Sequence, residues 1–186
     1  MLSEVRELGR RGFFVRPGFL SAQLAASTLE RGRGRLMRPG LVGGRTLRQD
    51  AQLRGDEICW LEQGDEPEVF AAFAALGAGV EAEARLVLSR FTVQLACYRA
   101  GSGGYGEHLD SAASSGGRRL TATCYLSDLR GTDDGGQLQL TPLDGGGAAE
   151  TVRPAPGLLM CFRSDAVRHC VLPCARERWA LTAWYY

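Results

Sequence analysis

The sequence predicts an α+β protein that is mainly β: a double-stranded β-helix (jelly roll) buttressed by N-terminal helices. Three observations predict it. Apolar residues at helical spacing are confined to the first half of the chain,. The second half is a series of short runs rich in β-formers: Phe91 to Tyr98, Leu120 to Leu126, Gln137 to Thr141, Gly157 to Phe162, Cys170 to Leu172 and Trp179 to Tyr186,. Glycine, serine, aspartate and proline turns separate these runs at even intervals, as in a double-sheet jelly roll or a barrel. Helices first and strands afterwards place the helices against one sheet face. A chain of 186 residues reads as one domain,. Residues 1–88 are expected to supply helical support and a mobile loop, and 89–186 the jelly-roll core.

Taken in order, Pro17 to Leu29 puts Leu20, Leu24 and Leu29 on about one face, with Ser21 available as a cap, which predicts a helix,. The glycine-rich stretch from Arg31 to Gly55 follows and carries seven arginines, Arg31, Arg33, Arg35, Arg38, Arg45, Arg48 and Arg54. It lacks interleaved aromatics that would stack on bases, so it reads as a solvated, mobile loop and not as a nucleic-acid patch. Glu57 to Leu61 reads as a short strand. From Pro67 onward Val69, Phe73, Leu76 and Val80 recur at helical spacing and predict a supporting helix,.

Composition removes several classes of function. A net charge of +1 gives no global field to attract nucleic acid or a membrane surface,. All basic residues are arginines, which excludes Schiff-base chemistry by a lysine,. The longest uncharged apolar run, Val69 to Val80, is shorter than the roughly 18 residues that span a bilayer,. Glu4, Arg6, Glu7, Arg10 and Arg11 stand where a secretory signal needs an apolar block, so a cytoplasmic location is expected,. The six cysteines are scattered without zinc-type spacing and read as buried free thiols,.

The chemistry centres on His108-Leu109-Asp110. In an extended strand the side chains at i and i+2 leave the same face, so an imidazole and a carboxylate would point at one spot. The chain has one other histidine, His169, at the opening of the penultimate strand. Two histidines and a carboxylate on one side of a metal, with the opposite positions open, form the facial triad of non-haem Fe(II) oxygenases. Arg178, nine residues beyond His169, puts a charge at the start of an otherwise apolar strand. A buried guanidinium needs a partner, and its planar fork suits a carboxylate, here one from a dicarboxylic cosubstrate. Arg176 is a competitor for that role and is expected in the turn.

These stretches carry a family resemblance. Tyr98-Arg99-Ala100-Gly101 through His108-Leu109-Asp110, Gly135-Gly136, His169-Cys170-Val171-Leu172-Pro173 and Arg178-Trp179-Ala180-Leu181-Thr182-Ala183-Trp184-Tyr185 resemble the Fe(II)/2-oxoglutarate-dependent prolyl 4-hydroxylase family,. The similarity is greatest to the hypoxia-inducible-factor prolyl hydroxylases and their bacterial relatives. It covers roughly residues 40 to 186 and includes Arg54-Gly55-Asp56 leading into Cys59-Trp60-Leu61,.

The resemblance implies Fe(II) held by His108, Asp110 and His169, with 2-oxoglutarate chelating the iron and its far carboxylate held by Arg178 and Tyr125. Tyr98 matches another active-site tyrosine, and Thr182 and Trp184 match positions lining the pocket. Dioxygen completes the reaction, a hydroxylation that releases succinate and carbon dioxide, with ascorbate as the reductant. The implied partner is a proline-containing protein or peptide, with the segment from Arg31 to Gly55 closing over it. The filled carboxylate position at Asp110 favours hydroxylation over halogenation. The small residues Ser111 to Gly117 depart from the more polar turn of the animal enzymes and leave peptide specificity open, and Arg118 or Arg119 is placed to reach the cleft. Two rival readings are a hydroxylase of a free amino acid or other small molecule, and a non-catalytic jelly-roll module that holds a ligand.

Overall fold

In the computed structural model, which describes residues 1–43, 46–84, 86–111, 117–143 and 149–186, two antiparallel sheets face each other and helices cover the outside of the larger one. The fold class is the one expected from the sequence. The strands are β1 (Phe13–Arg16), β2 (Arg38–Pro39), β3 (Leu41–Val42), β4 (Arg48–Gln49), β5 (Asp56–Leu61), β6 (Phe91–Tyr98), β7 (Tyr105–His108), β8 (Leu120–Tyr125), β9 (Leu138–Pro142), β10 (Glu150–Val152), β11 (Leu159–Arg163), β12 (Val167–Val171) and β13 (Arg178–Tyr185). The major sheet runs β1-β11-β8-β13-β6-β5-β2, the minor sheet β10-β9-β12-β7, and β3 pairs with β4 in a separate ribbon.

Strand periodicity gives the major sheet two different faces. On β13, Trp179, Leu181, Ala183 and Tyr185 join Val93, Leu95 and Cys97 of β6 and Leu120, Ala122 and Cys124 of β8 in the cluster beneath the helices. The alternate residues Arg178, Ala180, Thr182 and Trp184 line the space between the sheets. Antiparallel pairing keeps the two sets in phase, because Thr182 lies opposite Gln94 on one neighbour and Thr123 on the other.

The helices fit the apolar face. In α2 (Ala22–Arg33) the Leu24 backbone N–H donates to Ser21 Oγ at 3.1 Å, the cap read from the sequence,. In α3 (Pro67–Ala84) the buried residues include Val69, Phe73, Leu76 and Val80, and the Tyr185 hydroxyl donates to the Phe73 carbonyl at 2.7 Å. Burial of each such side chain stabilises the docked helix by roughly 1.5–3 kcal/mol. No described helix is long and apolar enough to cross a bilayer.

The structure departs from the sequence reading in the N-terminal half. The charges that argued against a signal lie on α1 (Leu2–Arg11), an amphipathic helix that buries Leu8 and ends at Gly12. β1 follows at once, with Phe13 buried between the sheets and Phe14 beneath the helices. Residues 1–88 therefore supply β1, β2 and β5 to the major sheet as well as helical support. In the segment read as a loop, α2 runs on to Arg33 and three short strands follow, while Arg45 lies outside the described residues. Two-residue strands have no periodicity to detect and form only where a partner is supplied.

The register of β7 on β12 depends on Gly104. Its φ is 83°, and a Cβ there would collide with the Val171 carbonyl oxygen and the Leu172 backbone,. Gly18 shares the left-handed conformation, with φ 66°, but has open space around it. Gly104→Ala should therefore cost about 2–4 kcal/mol in urea unfolding, against about 1 kcal/mol for Gly18→Ala. Equal costs would show that the close approach of Gly104 to β12 is not a constraint.

Candidate metal centre and active site

His108 ends β7 and His169 lies in the middle of β12, directly opposite it in the antiparallel pair. The ring centroids are 4.2 Å apart. His169 therefore sits inside its strand and does not open it, because β12 begins at Val167, two residues before it. Asp110 lies past the end of β7, so the i, i+2 relation holds although the strand stops at His108. Nε2 of His108 is 3.5 Å from Asp110 Oδ1, and Nε2 of His169 is 3.8 Å from Asp110 Oδ2. One ligand atom from each of the three lies within 4.8 Å of the others.

The protonation pattern suits a metal. His108 Nδ1–H donates to the Gly106 carbonyl at 2.8 Å, and His169 Nδ1–H to the Val167 carbonyl at 3.4 Å. A carbonyl only accepts, so each Nδ1 keeps its proton, which leaves Nε2 as the ring nitrogen available to a metal. Burial pushes the His169 imidazole down to about 4 despite the opposing pull of Asp110, so it is neutral at neutral pH,. At Asp110 burial acts to raise the carboxyl, but the neighbouring His169 and His108 and the Thr121 hydroxyl outweigh it and hold the group well below the usual carboxylate range. Neutral imidazoles and an ionised carboxylate are the forms that ligate metals.

Arg178 opens β13 with 2% of its surface exposed. Its Nε–H donates to the Gly136 carbonyl at 2.9 Å, and its guanidinium carbon lies 5.1 Å from the Tyr98 ring centre and 5.2 Å from that of Tyr125. Gly136 has φ 69° in the turn that brings its carbonyl to this point. No described carboxylate pairs with Arg178. The Tyr125 hydroxyl is buried without a hydrogen-bond partner among the described residues. Burial, only partly offset by Arg178, pushes its phenol to about 12, so it stays protonated and able to donate. An unpaired guanidinium and an orphaned hydroxyl in one place are costly unless an anion joins them.

Tyr98, Arg178 and Thr182, the three triad residues and Trp184 all line one cavity of about 550 Å³. Tyr125 lies fully buried behind Arg178. Thr182 Oγ1 is 3.2 Å from Thr123 Oγ1, which also lines the wall. Trp184 does more than line it: Nε1–H donates to Asp110 Oδ2 at 2.8 Å. Arg176 is exposed in the turn and pairs with Asp134 at 3.5 Å. Arg118 reaches the cavity, with its guanidinium 4.3 Å from the Trp184 ring centre, whereas Arg119 does not line it. Of the small-residue stretch after Asp110, residues 112–116 lie outside the described residues.

Sequence reasoning missed Thr121, whose hydroxyl donates to Asp110 Oδ2 at 2.7 Å, and Ser164, which lies 2.9 Å from Thr121. The signal was present in the Leu120 to Tyr125 run, where Thr121, Thr123 and Tyr125 occupy one face of a fully buried strand. It also missed how Arg54 shapes the cavity wall. Arg54 grips Asp56 at 2.6 and 2.9 Å and donates to the Leu41 carbonyl at 3.0 Å, which ties the β3–β4 ribbon to the sheet.

A family model described as the 2OG-Fe(II) oxygenase superfamily matches residues 93–186. The prolyl hydroxylase EGLN3 of Mus musculus is 30% identical over 94% of this chain and 78% of its own length. A prolyl-4-hydroxylase structure from Pseudomonas putida superposes with a TM-score of 0.87 and 30% identity, covering all of this chain and 98% of the other. A Trichoplax adhaerens prolyl hydroxylase, solved with a hypoxia-inducible-factor peptide fragment, has a TM-score of 0.83 at 24% identity over 98% and 87% of the two chains, a likeness of fold.

One divalent ion per chain is the expected stoichiometry for this donor set. Anaerobic calorimetric titration of metal-free protein with Fe(II) or Mn(II) should give one site, weakened at least about 100-fold by His108→Ala or His169→Ala. Unchanged affinity in both variants would place the ion elsewhere.

Proposed function

The chain belongs to the 2OG-Fe(II) oxygenase superfamily, and from that premise we propose that it hydroxylates a prolyl residue in a protein or peptide substrate, releasing succinate and carbon dioxide. The observation that carries this reading is a two-histidine, one-carboxylate cradle sharing a cavity with a buried guanidinium that has no described carboxylate partner. Bound at this centre, Fe(II) with 2-oxoglutarate and dioxygen supplies an oxidant able to place one oxygen atom on an unactivated carbon. Ascorbate serves to keep the metal reduced.

The protein's own residues bind, orient and exclude. His108, Asp110 and His169 would hold the metal from one side, which would leave the other for cosubstrate and dioxygen,. Arg178 is anchored through Nε to a backbone carbonyl, so its terminal nitrogens are presented in a fixed plane to the distal carboxylate of 2-oxoglutarate,. The unpartnered Tyr125 hydroxyl would donate to the same carboxylate, and the buried Tyr98 ring walls that end of the pocket against water. Thr182, with Thr123, lines the path of the cosubstrate between its two ends.

A peptide substrate is supported by the rim of the cavity and by the prolyl hydroxylases among the relatives. Leu41, Leu47 and Trp60 line the opening and are also exposed to solvent, which suits the docking of an extended chain,. Within the segment from Arg31 to Gly55, the β3–β4 ribbon beside Leu41 and Leu47 is the part that closes over the target. A reducing compartment such as the cytoplasm fits the six free thiols,.

The test is anaerobic loading with Fe(II) and 2-oxoglutarate, then exposure to oxygen with proline-containing peptides, reading succinate and a mass gain of one oxygen atom. Proline-free peptides should give neither product, and turnover confined to a free amino acid would replace the proposed substrate class. Arg178→Ala should weaken 2-oxoglutarate binding by roughly 2 to 5 kcal/mol while leaving Fe(II) binding intact. Limited proteolysis between Arg31 and Gly55 should slow when a peptide substrate is bound, and cleavage at an unchanged rate would count against closure.

A further inference from the structure

Hydrogen bonds to Asp110 are distributed unevenly between its two oxygens. Oδ2 accepts from Thr121 Oγ1 at 2.7 Å and from Trp184 Nε1 at 2.8 Å. Oδ1 meets the His108 ring, with Nε2 at 3.5 Å, and among the described residues no hydroxyl or N–H donates to it. Thr121 has one hydroxyl proton and gives it to Asp110, so the 2.9 Å contact to Ser164 must be a donation from Ser164 Oγ to Thr121,. Ser164, Thr121 and Asp110 thus form a polarised chain in which each link strengthens the next, all buried,.

The scaffold places these donors by sheet register. Thr121 and Trp184 are direct cross-strand partners on β8 and β13, so their side chains leave the sheet side by side. Ser164 follows the end of β11, the other neighbour of β8. The indole itself packs against the Arg118 guanidinium, 4.3 Å from the ring centre, and the Trp60 ring at 5.6 Å.

We propose that Thr121, Trp184 and Ser164 form a clamp that saturates Oδ2 and leaves Oδ1 as the single ligating oxygen of Asp110. A carboxylate free to use both oxygens can occupy two metal positions. The clamp keeps it to one, and so preserves the positions that 2-oxoglutarate and dioxygen require. The three are positioning residues, acting through Asp110, and the inference rests on the reading that His108, Asp110 and His169 hold the metal.

Co(II) titration of the metal-free full chain, followed by visible absorption, tests the clamp apart from turnover. Trp184→Phe keeps the ring and loses the donor; Thr121→Val keeps the strand packing and loses the hydroxyl; Thr121→Ser keeps the hydroxyl. The Phe and Val variants should bind Co(II) about 10- to 100-fold more weakly, with altered ligand-field bands because Oδ2 is released to the ion. Thr121→Ser should match wild type, and Ser164→Ala should shift the bands in the same direction by less. Should one variant fail to melt cooperatively, the others carry the comparison. Wild-type affinity and bands in the Phe, Val and Ala variants, or a loss in Thr121→Ser equal to that in Thr121→Val, overturn the clamp. Wild-type protein that takes up no Co(II), or takes it up unchanged after His108→Ala, removes the metal site itself.

Discussion

The antiparallel pairing of β7 with β12 is the contact on which the site depends, because it sets His108 opposite His169 with a carboxylate just beyond. The pairing joins residues that lie on segments about sixty residues apart. The pairing is made at the edge of the minor sheet, where β7 has one strand neighbour. Its register is therefore secured from outside the ladder. The left-handed turn at Gly104 lays the chain against β12, and the Arg54 bridge to Tyr105 ties β7 back to the segment leading into β5.

The polar wall of the cavity is organised by a second constraint. Arg178, Asp110, His169, Thr121 and Ser164 are all buried, and each carries a desolvation cost,. The triad and its hydroxyl neighbours offset that cost among themselves through short hydrogen bonds. Among the described residues Arg178 and Tyr125 do not, for the guanidinium bonds a single carbonyl and the hydroxyl has no partner. The two ends of the cavity thus differ in character. One is complete apart from a cation and the other apart from an anion, which is the complementarity expected of a site that takes up a metal and a dicarboxylate together.

Much of this was legible in the sequence because strands encode their faces by alternation. His108 and Asp110 could be paired from their spacing, and Arg178 stood out as a charge in an apolar run. The major-sheet strands β5, β6, β8, β11 and β13 were readable for the same reason, and α3 from its helical spacing. Thr121 and Ser164 were not, since a threonine in a strand is an ordinary β-former and a serine after one is an ordinary turn residue; only their partners give them a role,. Trp184 was placed at the pocket, but its N–H donation to Asp110 arises from the register of two strands distant in sequence. The short strands β1, β2, β3 and β4 likewise take their form from tertiary pairing, which local pattern does not record.

The two-faced major sheet also bears on self-inflicted damage. A centre that reacts with dioxygen endangers any soft sulfur within reach, since thiols and thioethers oxidise readily. Cys97, Cys124 and Cys161 lie in the cluster beneath the helices, with the full thickness of the sheet between them and the triad. Cys170 follows His169 on β12 and so leaves the opposite face, while Cys174 and Met160 pack between the sheets away from the cavity lining. The wall around the metal is furnished instead with hydroxyls, aromatic rings and guanidinium groups. The alternation that folds the sheet thereby doubles as a shield, sorting Cys97, Cys124 and Cys161 to the side of the backbone that the oxidant does not reach.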